Sequence, residues 1–193
     1  MEPEQQRKKL EKEEQIVRNV LFKSKSLLYG HVRPHWFVQL NYYLCTLLAS
    51  IALIWHAITF LILLKPGFLK RHKFIDVPAI VERRGSELGF LRDEFFPILK
   101  TFSGLGAILW LILIVSLLLL WRGKTYYVYI VIGVIVVYVG VLLSLLGGTY
   151  FIEDTTWFDK LTLFVILTLT IVQNFIFHLT QPKVDRSEFP VQE

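Results

Sequence analysis

Residues 101–152 read TFSGLGAILWLILIVSLLLLW (101–121), RGK (122–124) and TYYVYIVIGVIVVYVGVLLSLLGGTYFI (125–152). The two apolar runs, of 21 and 28 residues, contain no Asp, Glu, Lys or Arg. A helix crosses a hydrocarbon layer about 30 Å thick with about 20 apolar residues, at a rise of about 1.5 Å each, so either run is long enough to span. Hydrocarbon offers the backbone no water to bond with, which makes helix the expected conformation for both. Only Arg122, Gly123 and Lys124 separate them. The pair is therefore expected to form an antiparallel hairpin of neighbouring helices.

Two further runs share this character: Pro34 to Leu64, 31 residues, and Leu161 to Pro182, 22 residues. The expected fold class is an all-α integral membrane protein with four transmembrane helices, an amphipathic N-terminal helix and an interfacial loop between the first two spans. Spans are expected at about 36–64, 99–121, 126–147 and 159–180, inside a membrane domain of residues 34–182. Aromatic side chains fall where headgroup-level anchors belong: Trp36, Tyr42 and Tyr43, then Trp121, then Tyr126, Tyr127 and Tyr129, then Trp157. Composition agrees, with 54% hydrophobic residues and a mean hydropathy of +0.51 over 193 residues.

Charge is confined to the segments outside these runs. Residues 1–33 form a charged tail in which Glu4/Lys8, Arg7/Glu11, Lys9/Glu13 and Glu14/Arg18 stand four apart with opposite signs, the spacing of helix-surface pairs. Leu10, Val17, Val20 or Leu21, and Leu28 give that helix a thin apolar stripe, which reads either as a docking face or as part of a solvated extension. The opening MEPEQQRKKLEKEEQ lacks the apolar core of a signal peptide and is too acidic for a mitochondrial transit peptide. The loop 65–98 mixes basic residues with Phe68, Phe74, Ile75, Phe90, Phe95 and Phe96, and reads as one or two short interfacial helices or as an ordinary structured loop. Residues 183–193 form a polar C-terminal tail.

The formal net charge is +5. Its basic residues flank apolar runs, so anionic lipid headgroups are the expected counter-surface and nucleic acid is not. Lys65, Lys70, Arg71 and Lys73 are the headgroup contacts expected of the first loop. Lys and Arg number 12 on the side of the N-terminus and nine on the other, but eight against nine once the four most distant are dropped, which leaves the orientation open by that criterion. The difficulty of moving a 33-residue basic tail across a membrane, with the acidic loop Glu153–Asp159 opposite it, favours both termini in the cytoplasm.

Within the spans there is little that could perform chemistry. No Asp, Glu, Lys or Arg lies in any of the four apolar runs, which weighs against proton-coupled transport, voltage sensing and carboxylate catalysis. The lone cysteine, Cys45, excludes an internal disulfide and a multi-cysteine zinc site. His56 and His178 belong at opposite ends of the bundle, while His35 and His178 share an end; no metal, haem or other cofactor is expected. Adjacent acids, Asp93 with Glu94 and Glu153 with Asp154, read as surface solvation. HExxH, GxSxG, Walker A, GxGxxG and CxxC motifs are absent, and so is any internal repeat.

What remains is association between helices. Small residues recur four apart as Gly140, Ser144 and Gly148, as Ser103 and Ala107, and as Cys45 and Ala49, a spacing that lets helices approach closely. Gln173, Asn174 and Asn41 are the polar residues expected to bond between helices. The leading expectation is a non-enzymatic multi-pass subunit that binds other membrane proteins or copies of itself. An oligomeric pore with Asn174, Gln173 and Thr170 on a shared path is the alternative, and a lipid- or quinone-processing enzyme using residues between His72 and Glu94 is the third.

Overall fold

The computed structural model describes residues 34–67, 76–91 and 93–180, with side chains described as far as residue 177. The described chain is helical: α1 (Trp36–Leu64), α2 (Val77–Glu87), α3 (Phe95–Trp121), α4 (Tyr127–Glu153) and α5 (Trp157–Thr180). Four of these, α1, α3, α4 and α5, are long and apolar enough to cross a membrane. The N-terminal helix expected over residues 3–28, the tail 183–193, and Lys70, Arg71 and Lys73 lie outside the described residues.

Each helix boundary has a local cause. His35 Nδ1 accepts from the Phe37 N–H at 3.4 Å and caps α1. Pro97 falls in the first turn of α3, where the missing N–H costs nothing, so that helix begins at Phe95, before the expected residue 99. It ends on Gly123, whose φ of 66° permits the Lys124 N–H to reach Leu119 O at 2.9 Å. This closes the α3–α4 hairpin in three residues. At the other end, Thr156 and Asp159 cap α5 reciprocally: Asp159 Oδ2 accepts from Thr156 N–H at 3.2 Å, and Thr156 Oγ1 accepts from Asp159 N–H at 3.2 Å.

α4 does not stop at residue 147. Gly147 takes φ 78° and ψ 172°, a conformation open to glycine and costly for any other residue, and the helix resumes beyond it to Glu153. The glycine pair therefore kinks the helix without ending it.

In lipid the helices gain nothing by hiding apolar area from one another, so close packing and polar bonds must hold them. α1 and α3 form the most extensive pair, followed by α3 and α4; α5 covers α1 and α4, and α2 rests on α3. Cys45, Ala49 and Ala52 on the inner face of α1 are small and buried, which brings the α1 and α3 backbones together. Leu113, Leu117 and Leu120 of α3, with Val131, Leu142 and Leu146 of α4 and Ile166 of α5, fill the remaining core. Outward stand Ile54, Trp55, Ile58, Leu61, Val136, Val137, Phe164 and Ile171, the surface a bilayer requires.

Candidate functional site

Polar side chains inside a lipid-embedded bundle are informative because each must find a partner or pay for its burial. Asn41 Nδ2 donates to Leu169 O at 3.1 Å and joins α1 to α5, while Asn41 Oδ1 accepts from Cys45 Sγ at 3.0 Å. Tyr127 Oη donates to Thr170 O at 3.5 Å and joins α4 to α5. His56 Nε2 lies 2.9 Å from Tyr138 Oη and joins α1 to α4.

The histidine sits in a nest of rings. Phe102 and Tyr138 meet it edge-on at centroid distances of 5.4 and 5.6 Å, and Trp110 stands 5.5 Å from Tyr138. On the remaining side is Gly106 of α3, where an added Cβ would lie 2.6 Å from His56 Nδ1. Neither Tyr138 nor Gly106 stands out in the sequence; a tyrosine midway along an apolar run was the available signal. His178, the other histidine considered for a ligand pair, has no described side chain.

The small residues divide into two groups. Cys45 and Ala49 are fully buried, Ser103 is buried with its Oγ on Leu99 O at 2.8 Å, and Ala107 is half-buried. Gly140, Ser144 and Gly148 are all exposed, and nothing lies within 4 Å of where a Cβ would stand on Gly140, Gly148 or the nearby Gly133. The Gly140 set stands on a face of α4 apart from the buried Val131, Ile135, Tyr138 and Leu142. The kink at Gly147 also breaks the regular spacing between Ser144 and Gly148.

Gln173 and Thr170 are buried inside the chain, and Asn174 is half-buried. The first two are turned away from any path shared between subunits. Thr46 Oγ1, Trp110 Nε1 and Thr162 Oγ1 are buried without a hydrogen-bond partner among the described residues, and Gln173 is the one side chain with two such atoms, Nε2 and Oε1.

Outside the spans, Arg84 of α2 gathers three acids from two places, Glu87 on α2 itself and Glu153 with Asp154 at the end of α4. Its Nε lies 2.9 Å from Asp154 Oδ1, its Nη2 also bonds Asp154 and lies 3.6 Å from Glu153 Oε2, and its Nη1 reaches Glu87 Oε2 at 2.8 Å. Hydrogen bonds to Asp154, then Glu87, push the guanidinium further above its already high range, so it is a permanent cation. Surface solvation of Glu153 and Asp154 is thus replaced by a clasp from α2 to the α4–α5 turn. Beneath it Gly85 sits directly on the Phe95 ring, with no room for a side chain. Lys65, the one described member of the expected headgroup-binding set, is exposed just beyond α1.

Protein families, curated proteins and solved structures were compared with the chain. None of them matches it. The geometry is therefore the ground for any functional reading. Among the described residues no three of His, Cys, Asp and Glu are placed so that they could hold a metal ion. What the described residues offer is an interior tied by hydrogen bonds between helices, a bare strip on α4 and an unpaired amide near the start of α1.

Proposed function

We propose that this protein is a non-enzymatic multi-pass membrane subunit that works by helix–helix association, with copies of itself or with other membrane proteins. The observation that carries the reading is the exposed strip of α4. Gly133, Gly140 and Ser144, before the kink, leave its backbone uncovered, whereas Cys45, Ala49 and Ser103 are buried inside the bundle. Close backbone approach between helices is the main use of such a surface in lipid, where bulk apolarity gives no preference for protein over lipid.

In this reading α2 lies at the membrane surface, with Lys65, Lys70, Arg71 and Lys73 on anionic headgroups. Residues 1–33 add a second contact surface on the opposite side, and both termini are cytoplasmic.

The test is mass measurement of the full chain in native lipid, combined with crosslinking in membranes. A homo-oligomer or a crosslinked membrane partner is expected, and Gly140→Leu with Ser144→Leu should abolish it while leaving the fold intact. A monomer that captures no membrane protein overturns the reading.

A further inference from the structure

Where α1 begins, a cavity of about 290 Å³ opens between α1 and α5. Phe37 and Val38 of α1 and Ile176 and Phe177 of α5 form its apolar walls, and His35 and Gln173 are its polar groups. Gln173 is fully buried, yet its donor and its acceptor are both unpaired among the described residues. Buried side-chain amides are nearly always bonded, and leaving one unbonded costs about 1–3 kcal/mol. Gln173 lines the space with both amide atoms covered, so a turn of its side chain into the cavity would let it bond a ligand there.

Water answers this only in part. A buried water needs two to four polar partners, and a space of this size equals about ten waters at roughly 30 Å³ each. Two polar side chains among six lining residues can hold one or two waters at Gln173. The rest of the space is walled by hydrocarbon. His35, the capping residue of α1, lines it and is next in sequence to Trp36, a residue type that favours the level where headgroup and acyl chain meet. Phe37, Ile176 and Phe177 are half-buried, so the space also opens on the outer surface of the helices.

We propose that this cavity binds the head of a single-chain amphiphile, a long-chain carboxylic acid or the corresponding primary amide. The amide, and the acid in its protonated form, carry a donor and an acceptor along one edge, the complement of a glutamine side chain. Turned into the cavity, Gln173 Nε2 donates to the ligand carbonyl and Gln173 Oε1 accepts from its O–H or N–H. His35 adds a second donor, because its Nδ1 accepts from the Phe37 N–H and the ring proton is left on Nε2. The alkyl chain lies along Val38, Ile176 and Phe177. An ester lipid of the bilayer has acceptors only and would leave Oε1 unpaired.

Native mass spectrometry of the full chain released from phospholipid nanodiscs, with dodecanoic acid, dodecanamide or methyl dodecanoate added, tests this. The amide, and the acid where it keeps its proton, are expected to bind about tenfold more tightly than the ester, the size of one good hydrogen bond. Gln173→Leu, close in shape, should erase that preference without loss of helical content. Val38→Trp leaves the amide untouched and fills the space, and should remove all three adducts. Equal binding of acid, amide and ester, a preference that survives Gln173→Leu, or no adduct because water or another segment of the chain occupies the space, would each overturn the proposal.

Discussion

His56 on α1 and Tyr138 on α4 are joined by a hydrogen bond of 2.9 Å, and α3 passes close enough for both only because residue 106 is glycine. Three helices are registered by one polar contact at their centre. Removing either partner leaves the other buried and unbonded, the costly half of hydrogen-bond energetics. Tyr138→Phe and His56→Leu should each lower stability by about 1 kcal/mol, the order measured for interhelical bonds in membranes. The double variant should lose less than the sum. A double-mutant cycle of reversible unfolding in mixed micelles checks this, and strict additivity would show that the bond carries no coupling.

Gly106→Ala places a methyl group 2.6 Å from His56 Nδ1, and the ring must move, breaking its bond to Tyr138. A loss of about 1–3 kcal/mol is expected, as for overpacking elsewhere. Gly133→Ala meets nothing within 4 Å in the chain and should stay within about 0.5 kcal/mol of the parent. The same unfolding measurement compares the two glycines. Equal effects would mean that glycine itself, and not the imidazole above it, is what matters at residue 106.

Asn41 and Gln173 are both buried amides at one end of the bundle, yet they should respond oppositely to leucine. Asn41→Leu strips the Leu169 carbonyl and the Cys45 thiol of their partner and should destabilise by about 1 kcal/mol. Gln173→Leu removes no protein hydrogen bond, so in ligand-free micelles it should be neutral or stabilising. Thermal unfolding of the two variants reads the difference in sign.

Arg84→Met should free α2 from the α4–α5 turn. Asp154 and Glu153 then lose their shared cation, and α2 keeps its Asp76 cap and the contact of Gly85 with Phe95. Faster hydrogen exchange across residues 77–87, with no change in the four long helices, is the expected result. Because the clasp is half-exposed, high salt should reproduce part of the effect in the parent protein. Unchanged exchange would assign the docking of α2 to Phe95 alone.

Much of this architecture is legible before any coordinates exist. Length and absence of charge mark the four long helices, and RGK between two such runs forces the α3–α4 hairpin, since three residues can do nothing but turn. Pro97 and Gly147 were harder to read, because a proline in a first turn and a glycine within a long apolar run are compatible with either continuing or ending a helix. Tyr138, Gly106 and Arg84 were illegible as partners. Each pairs with residues far away in the chain, and nothing in local sequence records which helix faces meet.

By itself the sequence determined how often the chain can cross a membrane, because crossing depends on hydrocarbon thickness and on the cost of unpaired backbone and charge, which are local properties of a run. Only the tertiary structure decided which way each face turns. It buried Cys45 and Ala49 and left Gly140 and Ser144 bare, although the same small-residue spacing marks both pairs. It bonded Asn41 and left Gln173 unpaired, although both are amides in apolar runs. The physical reason is that a lipid solvent hardly distinguishes one apolar face from another, so inside and outside are assigned by shape and by a few polar contacts between distant residues.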